Sequence, residues 1–257
     1  MIGLKKLGLS QVFDVNVGVS AGAANLAYLL SGQAELGTTI YYEEMVTRRF
    51  INLWRLWRIA DIDYVEQVMR DSRKMLDARA VRRARGEFYI GVTSEDGIGE
   101  LIDAKGSHDM VRLVKASIAL PIVYNKLVEI NGGRFIDGDI SLSLPVAEVR
   151  KQFAPTDMVL VINRPFYQFK DYPIAWWLRA LSLPFLFKLS QGLQTAYLVK
   201  NKNHNTRLSA LHSGEVTAGM NMVVVAPDYE ISLTTSDAAT VRKLAELGTE
   251  SILKLFG

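Results

Sequence analysis

The tightest constraint on the fold of this chain lies in residues 13 to 30. Phe13-Asp14-Val15-Asn16-Val17 is a short β-prone run that stops at Gly18, and Ala21 to Leu30 is rich in good helix formers. The backbone must therefore pass from strand to helix within a few residues. Gly18-Val19-Ser20-Ala21-Gly22 fills that turn with a G-x-S-x-G pattern, and the strand-to-helix context gives the pattern its meaning as a nucleophile elbow. At a sharp, strained turn Ser20 projects its hydroxyl from the sheet edge. Small residues at Gly18 and Gly22 let neighbouring backbone approach without a Cβ clash, and the Ala21 amide is directed at a substrate oxyanion. Taken alone, the pattern also fits an ordinary strand-to-helix turn with Ser20 as a cap.

The rest of the chain continues the alternation. A helix is expected over Thr38 to Ala60, and another beginning near Asp61 or Asp63 with Val65, Val68, Met69 and Leu76 on one side. Phe88 to Thr93 has the pattern of a buried strand, and Asp109 to Leu120 that of a helix ended by Pro121. Leu127 to Ile130 and Arg134 to Ile136 flank Asn131-Gly132-Gly133, where Asn-Gly supplies the positive φ angles of a tight hairpin turn, so the second strand runs directly into Asp137. Met158 to Ile162 and Met222 to Ala226 are near-continuous apolar runs, expected as strands buried on both faces. After Ser236-Asp237, Val241, Leu244, Leu247 and Ile252 recur at helical spacing. The implied fold class is α/β, a three-layer sandwich with a mostly parallel central sheet. A length of 257 residues suits a single domain, 1–257.

Composition excludes several kinds of chemistry. There is no cysteine, hence no disulfide or thiolate nucleophile, and the three scattered histidines offer little for a metal site. No cofactor is implied. The net charge of +3 is too small to imply nucleic-acid binding. Met-Ile-Gly-Leu-Lys-Lys at the start has no apolar core of a secretory signal, so a cytoplasmic protein is expected. Residues 172–190, with Trp176, Trp177, Phe185 and Phe187, are too short and too interrupted by Arg179, Pro184 and Lys188 to span a bilayer, and suit a cap over an acyl pocket, an interfacial helix or plain core. Arg48 to Arg58, with Trp54 and Trp57, suits peripheral contact with an anionic lipid surface, or equally two tryptophans packed inward with arginines outside. The basic run from Arg70 to Arg85 suits a solvated helix face that would also attract anionic lipid.

A serine nucleophile needs a proton acceptor. Here three motifs carry a resemblance. Val17-Gly18-Val19-Ser20-Ala21-Gly22-Ala23-Ala24-Asn25, Lys115-Ala116-Ser117-Ile118-Ala119-Leu120-Pro121 and Phe135-Ile136-Asp137-Gly138-Asp139 occur in the order and approximate spacing of the patatin-like phospholipases, which the chain resembles over at least residues 10–145. The resemblance implies a Ser-Asp dyad without histidine, with Ser20 as nucleophile and Asp137 as base. It implies a phospholipid or other acyl-ester substrate. From the residues alone, Asp137 before Gly138 also fits a turn-stabilising aspartate.

Two departures from the family pattern bear on function. Asp139 stands where the family has a small residue, and would raise the pKa of Asp137 if it faced inward; it is expected to face solvent. The family's oxyanion hole also uses a Gly-Gly-Gly-x-Arg-Gly type loop after its first strand, and no such run occurs here. Met1 to Gly8 is similar to the helix after that loop, so the sequence is expected to be N-terminally truncated relative to the family, through a start codon placed too late or a true loss. Losing one oxyanion donor costs about a hundred- to a thousandfold in rate. The alternative to a hydrolase is then an impaired member that binds lipid or a partner without turnover. A third arrangement, a Ser-Asp-His triad, would draw on His204 or His212, which follow Asp137; His204 in a polar run, His212 near Gly214 and His108 all suit surface positions.

Overall fold

The computed structural model describes residues 1–52, 60–121, 124–166, 185, 187–227 and 237–257. The chain opens with α1 (Ile2–Lys6), followed by β1 (Val15–Val19), α2 (Ala21–Leu30) and α3 (Ala34–Thr39). A wide π-type turn, Ile40–Glu44, succeeds α3 in place of the long helix expected to Ala60. Thr38, Thr39 and Ile40 are β-branched and weak helix formers, and the two hydroxyls bond back to the carbonyls of Ala34 and Leu36. Residues 53–59, with Trp54 and Trp57, lie outside the described residues.

The next helix follows its sequence signal, except that Leu76 lies beyond its end. α4 (Ile62–Asp71) starts at Asp61, whose carboxylate accepts from the Tyr64 N–H, and buries Val65, Val68 and Met69. α5 (Ala78–Arg83), β2 (Glu87–Ser94) and β3 (Gly99–Asp103) follow. α6 (Met110–Ser117) is capped by Asp109 and ends three residues before Leu120, because a residue preceding proline is pushed out of the helical region. β4 (Val128–Ile130) and β5 (Gly133–Asp137) form the expected hairpin, with Asn131 and Gly132 at φ 50° and 84°. Then come α7 (Val146–Phe153), β6 (Asp157–Val161), α8 (Gln191–His212), β7 (Asn221–Val225) and α9 (Ala238–Phe256).

Strand pairing decides where the chemistry can sit. β2 pairs in parallel with β1 from Val15↔Glu87 to Val19↔Gly91, and antiparallel with β5 from Val92↔Asp137 to Ser94↔Phe135. β3 pairs antiparallel with β2 over Tyr89 to Thr93, overlapping both. A strand has two edges, so β1 and β5 share one edge of β2 while β3 takes the other. They meet head to head where Gly91 passes to Val92. The sheet is thus mixed, parallel at its N-terminal pair and antiparallel through the hairpin.

Helices lie against both faces, giving the α/β layering. Phe88, Ile90 and Val92 are fully buried and share one core with Ala23 and Ala27 of α2 and Leu113 and Val114 of α6. Tyr89 points the other way and packs on Phe153 of α7, with ring centroids 4.8 Å apart. β6 and β7 form a separate parallel pair, register Asp157↔Asn221 to Val161↔Val225. They are not buried on both faces as their sequence suggested. Val159 and Val225 pack with Leu4 and Ile252 of α1 and α9, whereas Val161 is 58% exposed. No helix among the described residues is long and apolar enough to cross a membrane.

Candidate active site

Ser20 sits between the last residue of β1 and the first of α2, at φ 54° and ψ −130°. Non-glycine residues avoid this region, and such strain persists only where surroundings hold it. Ser117 supplies the hold. Its fully buried hydroxyl accepts from the Ser20 N–H at 2.8 Å and donates to the Gly91 carbonyl at 2.7 Å. Gly18 is required by packing, since a Cβ there would lie 2.6 Å from the Ala23 Cα. Gly22 is not: a Cβ there would meet nothing within 4 Å, so its expected role in close approach is not seen. Ala21 and Gly22 open α2, where an α-helix leaves its leading N–H groups without intrahelical partners.

The carboxylate arrives from the opposite direction. Asp137 ends β5 and is 2% exposed. Its N–H donates to the Ala119 carbonyl at 3.2 Å, and its own carbonyl accepts from the Thr93 hydroxyl at 2.9 Å. Gly138 follows at a point where a Cβ would lie 2.2 Å from the Gly91 carbonyl oxygen, so only glycine lets the chain cross β2 there. The outcome is direct contact: Ser20 Oγ donates to Asp137 Oδ2 at 3.0 Å, and Asp137 Oδ1 accepts from the Asp139 N–H at 2.8 Å.

Burial, the largest influence, pushes the Asp137 carboxyl up from the ordinary aspartate range to about 7. The Lys200 ammonium opposes this, the Asp139 carboxylate adds to it, and the Asp139 N–H and the Ser20 hydroxyl also favour the ionised form. Asp139 does not simply face solvent, as its sequence position suggested. Lys200 on α8 holds its carboxylate at 2.7 Å. The reason is that α8 crosses this loop, bringing a cation to the Asp139 carboxylate.

The histidines do not complete a triad with this pair. His204 is half-buried within α8, not in a solvated loop, because residues 191–212 form one continuous helix; its Nδ1 meets the Ser143 hydroxyl. Burial lowers its pKa. His212 is exposed and bonds the Phe166 carbonyl through Nε2, and His108 is exposed at the start of α6. No cluster of three metal-ligating side chains occurs among the described residues.

Several residues essential to this geometry carry no motif of their own. Gly91 and Thr93 lie inside an apolar strand, and nothing local marks them. Ser117 and Ala119 belong to the middle of the three quoted motifs, and the structure gives that motif its physical role. One helix end reaches Ser20 through a hydroxyl and Asp137 through a carbonyl. The basic cluster is largely engaged: Arg70 binds Glu66 and Asp109, and Arg82 binds the carbonyls of Lys105 and Ser107. Residues 167–184, which include most of the apolar segment, lie outside the described residues.

The structure thus brings a buried carboxylate into hydrogen-bonding contact with a serine on a strained strand-to-helix turn. The family model for patatin-like phospholipases matches residues 3–150, more than half of the chain, and the protein belongs to that family. Among curated proteins the chain is 28% identical over 196 residues to the uncharacterized protein YjjU of Escherichia coli (strain K12), covering 72% of this chain. It spans about half of that relative's length, 54%.

Proposed function

We propose that this protein hydrolyses the acyl ester of a lipid or lysophospholipid through a dyad of Ser20 and Asp137. The contact of 3.0 Å between Ser20 Oγ and Asp137 Oδ2, at a serine held at φ 54°, carries the reading. Ser20 Oγ attacks the acyl carbonyl carbon while its proton passes to Asp137. The oxyanion that forms lies at the start of α2, where the Ala21 N–H has no partner within the helix and the helix dipole favours negative charge. Collapse of the tetrahedral species breaks the ester C–O bond, and Asp137 returns its proton to the leaving alkoxide. Water, deprotonated by the same carboxylate, then releases the fatty acid.

The raised pKa supports the choice of base. An ordinary aspartate is a feeble proton acceptor, whereas one titrating near 7 combines useful basicity with a sizeable ionised fraction at neutral pH. Family membership supports a lipid acyl group as the substrate. Hydrolysis of p-nitrophenyl esters and of lysophospholipid by the wild type, Ser20→Ala and Asp137→Asn tests the reading. Both variants should lose about a thousandfold or more in kcat/KM. Wild-type rates in Ser20→Ala would refute it, and retained activity in Asp137→Asn with loss in His204→Ala would replace the dyad by a histidine-dependent mechanism.

A further inference from the structure

We propose that Lys200 is a positioning residue for this reaction, acting through its ion pair with Asp139 to hold and charge-balance the carboxylate of Asp137. The inference rests on the dyad reading. Its origin is a stripe on α8. Lys200, His204 and Arg207 are spaced by four and three residues, so they lie on one face of the helix. All three reach the loop that follows the base. Lys200 Nζ binds Asp139 Oδ2 at 2.7 Å, and His204 Nδ1 meets the Ser143 hydroxyl. Arg207 donates to the Ser141 carbonyl at 3.0 Å and clasps Glu148 with both terminal nitrogens, at 2.7 and 2.6 Å.

The three contacts differ in what they do. His204 and Arg207 tie α8 to residues 141–148, beyond the dyad. Lys200 alone brings a cation to a group that itself grips the base, because the Asp139 N–H donates to Asp137 Oδ1 at 2.8 Å. Asp139 therefore has two opposed effects. Its main chain orients Asp137 and favours ionisation, while its side-chain charge resists it. Lys200 cancels the second effect and leaves the first. The pair is only partly solvated, with Lys200 18% and Asp139 32% exposed, so water screens it incompletely. Among the described residues, the charged and titratable groups that act on Asp137 are Asp139 from its own loop, Lys200 from α8 and the Ser20 hydroxyl from the β1–α2 turn. His204 lies one turn further along α8, where the charges of Arg164, Asp139, Lys200 and Arg207 act on it.

The residues concerned lie in part beyond the family match at residues 3–150, so Lys200 adds to the site from a helix that the family model does not reach. If the ion pair were merely structural, removing it would scale the rate equally at all pH values. If it sets the charge balance at Asp137, the pH dependence itself must move.

The test is the pH profile of kcat/KM for p-nitrophenyl ester hydrolysis in the wild type, Lys200→Met, Lys200→Arg, Asp139→Asn and the double variant Lys200→Met/Asp139→Asn. Lys200→Met should move the acid limb alkaline by about half a unit or more, with a loss of about twofold or more at neutral pH. Lys200→Arg should stay at the wild-type midpoint, Asp139→Asn should move the limb acidic, and the double variant should return towards the wild type. An unmoved midpoint in both Lys200→Met and Asp139→Asn overturns the proposal, whatever the absolute rates. Should Lys200→Met fail to fold, Asp139→Asn and Lys200→Arg decide the matter in the same way. The carboxyl carbon resonance of Asp137, followed against pH in Ser20→Ala with and without Lys200→Met, reads the same shift without turnover. Wild-type hydrolysis by Ser20→Ala would sink the dyad, while an inactive Ser20→Ala with an unmoved resonance would sink the role of Lys200 alone.

Discussion

Replacing Asp137 by Asn should make the protein more stable at alkaline pH while abolishing its activity. The side chain is 2% exposed, and burial holds its pKa at about 7 rather than the unfolded value of 3.8. Between those values the folded state binds more protons than the unfolded one, so stability is lost as pH rises from about 4 through about 7. A shift of about three units corresponds to about 4 kcal/mol well above the folded pKa, and to between about 1 and 2 kcal/mol at about pH 5. The asparagine is isosteric, can accept from the Asp139 N–H and donate to Ser20 Oγ, and carries no charge to desolvate. Relative to the wild type it should therefore gain about 2–3 kcal/mol between about pH 5 and about pH 8. Urea unfolding of both proteins at the two pH values gives the double difference, in which titrating groups that do not interact with Asp137 cancel. A difference that does not change with pH, or changes in the opposite direction, would refute the claim that Asp137 is held as a desolvated acid.

Other expectations follow from the same geometry. Ser117→Ala strips partners from the Ser20 N–H and the Gly91 carbonyl, so it should cost about 2–4 kcal/mol in chemical unfolding and lower kcat more than it raises KM. Gly138→Ala drives a methyl to 2.2 Å from the Gly91 carbonyl oxygen, and should destabilise by about 3 kcal/mol or more, with loss of fluorophosphonate labelling at Ser20. Gly132→Ala, at φ 84° with open space around it, should cost only about 1 kcal/mol in the same unfolding assay.

Local signals account for what the sequence disclosed. The elbow, the Asn131-Gly132 hairpin and the Asp61, Asp109 and Asp237 caps are each written within a few residues, and each appears where its turn chemistry directs. The Ser20 and Asp137 pair became legible through family resemblance, since 117 residues separate them and spacing alone cannot join them. Ser117, Thr93, Gly91 and Lys200 stayed hidden for a related reason. Their partners are backbone atoms or charges far along the chain, and a buried serine or a strand glycine leaves no periodic trace. The apolar runs at β6 and β7 misled because hydrophobicity reports a tendency to be covered, not which element does the covering.

Because β1 and β5 take their alignment from successive residues of one strand, Ser20 and Asp137 are set like two hands against a single ruler. A strand advances about 3.4 Å per residue and alternates its faces, so sliding β5 by one position would turn the carboxylate to the far side of the sheet, and sliding it by two would carry it out of reach. Between Gly133 and Asp137, one inserted or deleted residue would leave a folded protein whose serine has nothing to hand its proton to.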